Sequence, residues 1–167
     1  MQITVASASG ITHMPTVERE TLINAPPALV FALSQDYGLR LEWDPFLREL
    51  RFLEGATKAA VGVKVWVRAR SGLTMTVVYT VVDPPERVAM SMLEGPWLFD
   101  KFAGSWIFRP IENQTQVTFR YGFTVRPGFG WLAVPAITRI FSRDIRLRLR
   151  ALKHAAETTD ILSRLSW

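Results

Sequence analysis

From residue 47 to residue 125 the chain repeats one pattern, apolar and polar side chains alternating with a period of two, and then changes once to a helical period. In the longest run Leu73, Met75, Val77, Tyr79 and Val81 alternate with Thr74, Thr76, Val78 and Thr80; in the last, Val117, Phe119, Tyr121, Phe123 and Val125 share one face. Side chains on a strand point alternately to its two faces, so these runs predict antiparallel strands with one face buried. Further strands are predicted over 16–23, 47–52, 63–68, 88–92 and 99–108, the last interrupted by Gly104. Gly55, Asp83-Pro84-Pro85, Gly95-Pro96 and Asn113 mark the turns between them.

Two short helices are predicted after the first strand. Asn24, Pro26 and Pro27 open one that runs through Leu33. The other covers 37–44 and halts before Pro45, because the residue preceding a proline disfavours helical dihedrals. From Leu132 to about Leu165 the spacing predicts a single long helix, with Pro135 in its first turn. The expected architecture is therefore α+β: a curved antiparallel seven-stranded sheet with a long C-terminal helix. Residues 1–15 are expected to be a flexible arm and 16–167 one domain, which suits a chain of 167 residues.

Cysteine is absent, which excludes disulfide scaffolds, thiolate metal sites and thiol nucleophiles. The first fifteen residues have no signal-peptide pattern, and no uncharged apolar run approaches the roughly 20 residues of a membrane span. A soluble cytoplasmic protein is the expectation. The net charge of +5 is concentrated in residues 139–153, which hold six basic residues and one acidic one. Arg139, Arg143, Arg146, Arg150 and Lys153 gather on one side of the last helix. This stripe reads either as a solvated helix face or as a dock for an anionic membrane or an acidic partner. No nucleic-acid motif accompanies it, and no nucleic-acid partner is expected.

The opposite face of that helix carries Ile137, Ile140, Phe141, Ile145, Leu147, Leu152, Ala155 and Leu162. Asp144 and Arg148 project from its centre, spaced i,i+4 as an ion pair would be. Charge on a core face is unfavourable unless paired or hydrated. The pair therefore reads either as a polar anchor for the head of a mainly apolar ligand, or as a salt bridge joining helix to sheet, with Arg120 as a further partner. Met75, Tyr79, Met90, Met92, Trp106 and Phe108 are expected to point inward from the sheet, together with Phe119, Tyr121 and Phe123. Methionine and aromatic side chains suit an adaptable apolar pocket and a filled core alike. Gly128 and Gly130 flank Phe129 in the strand-to-helix loop, which reads as a gate at the pocket mouth or as an ordinary connection.

Catalytic signatures are few. His13 and His154 form no metal-binding arrangement, and neither a nucleophile elbow nor a phosphate or dinucleotide loop is present. No metal and no cofactor are expected. General acid–base work remains, with Arg148 stabilising negative charge and Asp144 or a tyrosine exchanging a proton. An aspartate held against Arg148 should have a lowered pKa, which argues against that role.

The block 21–55 contains Ile23, Ala25, Pro26, Val30 and Phe31, followed by Trp43, Asp44, Pro45 and Phe46. It resembles the opening of START-like helix-grip (SRPBCC) proteins, most of all the polyketide cyclase/dehydrase and lipid-transport branch. The resemblance extends over about residues 16–160. It implies a ligand cavity between the curved sheet and the C-terminal helix, and hence binding or carriage of a hydrophobic small molecule or lipid. Alternatives within its scope are an aromatase/cyclase or dehydratase. Asp144, Arg148, Tyr79, Tyr121 and Arg120 are the residues comparable to the polar groups of cyclase cavities, while the W-D-P-F phrase is expected mainly to shape the helix–strand junction and is not expected to be catalytic.

Overall fold

A computed structural model describes residues 14–128 and 130–165. Phe129, His13 and most of the expected N-terminal arm lie outside the described residues. Seven strands form one antiparallel sheet: β1 (Thr16–Ile23), β2 (Leu47–Phe52), β3 (Lys64–Ala69), β4 (Thr74–Asp83), β5 (Arg87–Glu94), β6 (Phe99–Ile111) and β7 (Gln114–Val125). Helices α1 (Pro27–Gln35) and α2 (Tyr37–Trp43) follow β1, and the long helix α3 (Gly130–Thr158) follows β7. The strand order is β1-β7-β6-β5-β4-β3-β2. Because β1 and β2 occupy opposite edges, the α1–α2 connection must cross the concave face of the sheet, and this crossing brings α2 to α3.

The α+β architecture read from the sequence is the observed one, a curved sheet wrapped around α3. Its alternation is broken at specific places. A register shift between Tyr79 and Val81 leaves Val82 paired with Val88 and packed on the core, so the inward phase moves by one residue within β4. Asn24 does not cap α1: Pro26 stands at the N-cap without a side-chain hydrogen bond. Asp36 caps α2, accepting from the Leu39 amide at 3.0 Å.

The last helix also differs from its predicted form. It ends at Thr158 and gives way to a separate 3-10 turn over Ile161–Arg164. Thr158 and Thr159 bond back to the carbonyls of His154 and Ala155, at 2.6 and 2.7 Å, a side-chain competition that favours helix ends. Pro135 lies just beyond the first turn rather than within it. The apolar face is narrower than predicted, for Ile140 and Leu147 are 63% and 43% exposed. At about 100° per residue they fall roughly 100° or more from the direction of Ile145 and Leu152, which are fully buried.

The core lies between α3 and the inward side chains of β4–β7. Trp106, Tyr79, Phe108 and Phe123 are its largest fully buried members, and Trp106 stacks on Phe119 with ring centroids 3.8 Å apart. Ile145→Ala should lower unfolding stability by about 2–5 kcal/mol, the cost of a cavity in a close-packed site. Urea denaturation of the variant against wild type measures it.

Candidate ligand-binding site

The C-terminal turn of α2 places Arg40 and Asp44 on one side, four residues apart. Asp44 stands at the helix C-cap, where Pro45 prevents continuation, and its Oδ1 accepts from the Phe46 amide at 3.1 Å. Its Oδ2 accepts from Arg40 Nε at 3.2 Å and from Arg148 Nη2 at 2.7 Å. One carboxylate thus holds two guanidiniums, and all three side chains are buried. Arg40 also donates to the Ser34 carbonyl at 3.0 Å, tying α2 back to α1.

Arg148 extends the network to the sheet. Its Nη1 donates to the Tyr121 hydroxyl in a short contact, and that hydroxyl donates to Asp144 Oδ2 at 3.0 Å. The guanidinium also lies 4.8 Å from the Phe119 ring centroid and 4.9 Å from that of Phe46, within cation–π range. The expected Asp144–Arg148 pair exists only as a marginal 3.9 Å approach, because the guanidinium turns toward Asp44 and Tyr121 occupies the space between. Arg120 does not join the network. It lies on the outer side of the sheet, where its Nε donates to Glu18 at 2.6 Å.

Burial alone would raise the pKa of Asp44, but the charges of Arg148 and Arg40 and the bonds from Arg148 and the Phe46 amide hold it below the ordinary aspartate range. Asp144 moves the other way. Burial lifts its pKa, Arg148 and the Tyr121 hydroxyl offset this only in part, and the Asp44 charge adds to the rise. Arg148 does pull the Asp144 pKa down, as expected from the sequence, but burial outweighs that pull and the net shift is upward. Tyr121 is raised by burial despite Arg148, with Asp144 and Asp44 contributing, and stays protonated. Arg148 stays charged because its three acidic neighbours outweigh its desolvation.

Beside this network a cavity opens. Its volume is about 70 Å³. Six of the residues expected to face a pocket line it: Met75, Met90, Trp106, Phe119, Tyr121 and Arg148. Tyr37, Arg40, Phe46, Leu50 and Phe102 join them, none of which the sequence analysis proposed for the site. Gly104, paired with Tyr121 across the β6–β7 ladder, leaves this space open; a Cβ there would stand 3.4 Å from the tyrosine ring.

The other expected residues fall elsewhere. Tyr79 is buried beside the cavity, its hydroxyl bonded to Tyr37 and, at 3.0 Å, to Gln35. Phe108 packs edge-on against Phe31 at 5.4 Å. Met92 fills the place a side chain at residue 95 would take, its Sδ packed against Gly95. Phe141 packs among Phe99, Phe102, Tyr121 and Phe123, and Asp144 stands behind Tyr121. Among the described residues no cluster of His, Cys, Asp and Glu is arranged to hold a metal. None of the described helices is long and apolar enough to cross a membrane.

A helix-grip fold enclosing a mostly apolar cavity with one buried charged wall defines the class. The family model described as polyketide cyclase/dehydrase and lipid transport matches residues 14–157, and the chain belongs to this START-like (SRPBCC) family. Among solved structures it is similar to the Zhui aromatase/cyclase of a Streptomyces species, with a TM-score of 0.72 and 21% identity over 86% of this chain and 94% of that one. A Thermus thermophilus protein gives 0.71 and 20%, over 85% and 97% of the two chains. A START superfamily protein from Mycobacterium smegmatis gives 0.70 and 12%, over 84% and 96%. No curated protein matches the sequence.

Removing the Asp44 charge strands two buried cations. Asp44→Ala should lower stability by about 3–5 kcal/mol, as loss of one partner of a buried pair does. The pH dependence has two signs. Asp44, with a depressed folded pKa, contributes stability that is present above the ordinary aspartate value and lost as pH falls through its folded value. Asp144, with a raised one, contributes stability that is full below the ordinary value and lost as pH rises through its folded value. Urea midpoints followed from acid to neutral pH should show Asp144→Asn without the second loss. A curve identical to wild type would refute this assignment.

Proposed function

We propose that the cavity takes a mainly apolar small molecule bearing carbonyl or enol oxygens, of the polyketide kind, and promotes its cyclisation or dehydration. The observation that carries this reading is a pair of buried donors without acceptors. Among the described residues Trp106 Nε1 and Arg148 Nε, like Trp43 Nε1, have no hydrogen-bond partner, and Trp106 and Arg148 belong to the cavity wall. A buried orphan donor is unfavourable by about 1–3 kcal/mol. Both atoms are covered in the empty cavity, and a shift of the wall side chains that uncovers them lets a ligand with acceptors gain what a plain hydrocarbon chain cannot.

The chemistry follows from the charged wall. Aldol closure needs a proton removed next to a carbonyl and negative charge stabilised on its oxygen. Arg148 supplies the positive charge. Tyr121 lines the cavity and donates to Asp144, so its oxygen can take the substrate's proton as its own passes to Asp144. The raised pKa of Asp144 suits it to hold that proton. Cyclase chemistry in the Zhui protein, which shares the fold, agrees with this reading. A carrier of hydrophobic molecules is the second reading, favoured by the apolar and aromatic remainder of the wall.

Trp106→Phe removes one donor at nearly constant shape. It should weaken binding of an aromatic polyketone about fivefold, the worth of about one hydrogen bond, and leave binding of a fatty acid of equal length unchanged. Fluorescence titration of both ligands measures this, and equal effects on the two would refute acceptor recognition. With a poly-β-ketone substrate, Tyr121→Phe and Asp144→Asn should slow product formation about a hundredfold or more. A wild-type product profile identical to that in buffer would sink the catalytic reading, and tight binding without turnover would leave the carrier.

A further inference from the structure

We infer that the solvent face of α3 is a docking surface for an anionic lipid bilayer. At about 100° per residue Arg139, Arg143, Arg146 and Arg150 fall within an arc of about 60°. All four are exposed, and none forms an ion pair among the described residues. Arg19 of β1 adds a fifth guanidinium at the flank, donating to Ser142 Oγ at 2.7 Å. The two acids of the helix do not neutralise this row. Asp144 turns inward to Tyr121, and Glu157 accepts from Lys153 at 2.8 Å and from the Asn24 amide at 2.7 Å.

Beside the arginines runs a row of apolar side chains that the core leaves out. Ile140 and Leu147, 63% and 43% exposed, occupy the adjoining arc of the same helix, and Leu132, 65% exposed, falls within the arginine arc itself. From Leu132 to Arg150 the face is about 27 Å long. Large apolar groups interleaved with unpaired guanidiniums form the pattern of surfaces that lie in a lipid interface, where the apolar groups enter the acyl boundary and the cations meet anionic headgroups. The face is the outer surface of a single helix, not a groove, so it offers a plane more contact than it offers a partner helix. The four arginines lie on the outer side of α3, whereas Arg148 turns inward to the cavity wall, so docking leaves the wall in place. This inference stands apart from the nature of the cavity's ligand.

Co-sedimentation with vesicles tests it. The full chain should bind phosphatidylcholine vesicles containing phosphatidylserine, bind pure phosphatidylcholine far less, and lose affinity as salt rises. Arg143→Gln with Arg150→Gln should weaken binding about twenty-fivefold, at about fivefold per arginine. Ile140→Ser with Leu147→Ser should also weaken it several-fold. All four positions are exposed, so the variants should keep the wild-type unfolding midpoint and ligand titration, and loss of vesicle binding with both retained separates docking from cavity function. No sedimentation with anionic vesicles at low salt would overturn the inference. So would equal binding to both vesicle types, or capture of an acidic protein without any vesicle binding.

Discussion

Asp44 sits where the α1–α2 crossing meets α3, and its carboxylate accepts from Arg40 on one side and Arg148 on the other. Two buried guanidiniums would otherwise bring a charge into the interior that no amount of apolar packing offsets. With Asp44 in place, the end of a short helix, the middle of a long one and the concave face of the sheet meet at one point. The position of α2 over the cavity and the orientation of Arg148 within it both depend on that contact.

The same contact sets the chemistry of the wall. Arg148 pairs with Asp44, burial outweighs the pull of Arg148 on Asp144, and the Tyr121 hydroxyl joins Arg148 to Asp144. The cavity wall thereby presents a cation and a protonated phenol, with a carboxyl group of raised pKa behind the phenol, each held by at least one other member of the network. The cavity survives because the wall is partly built from places where side chains are withheld or tied back. Gly104 leaves the Tyr121 ring free, and Tyr79 is anchored to Tyr37 and Gln35.

Much of this was legible in the residues. The period-two runs located every strand, and the turn signals separated them. The family-like phrase around Trp43–Phe46 marked the α2–β2 junction, and Arg148, Trp106, Phe119 and Tyr121 were rightly placed toward the interior. Arg40 and Asp44 were missed as members of the site. Their i,i+4 spacing ahead of a proline was visible, but the partner that gives Asp44 its role is 104 residues away, and no local pattern carries that distance. Phe108, Phe141, Tyr79 and Met92 share the inward phase of true wall residues, and periodicity cannot distinguish the wall of a cavity from the packing behind it.

Local chemistry in the chain determined the elements, their order and the excess of arginine on the last helix, because strand and helix periods and proline or glycine stops act over a few residues. Tertiary structure decided which face of α3 was truly covered, leaving Ile140 and Leu147 outside. It decided that Arg148 pairs with Asp44 rather than with its helical neighbour Asp144. Both outcomes turn on the depth of the sheet's curve and the path of the α1–α2 crossing. These arise from the packing of the whole chain, and a guanidinium takes the nearest carboxylate in space, not the nearest in sequence.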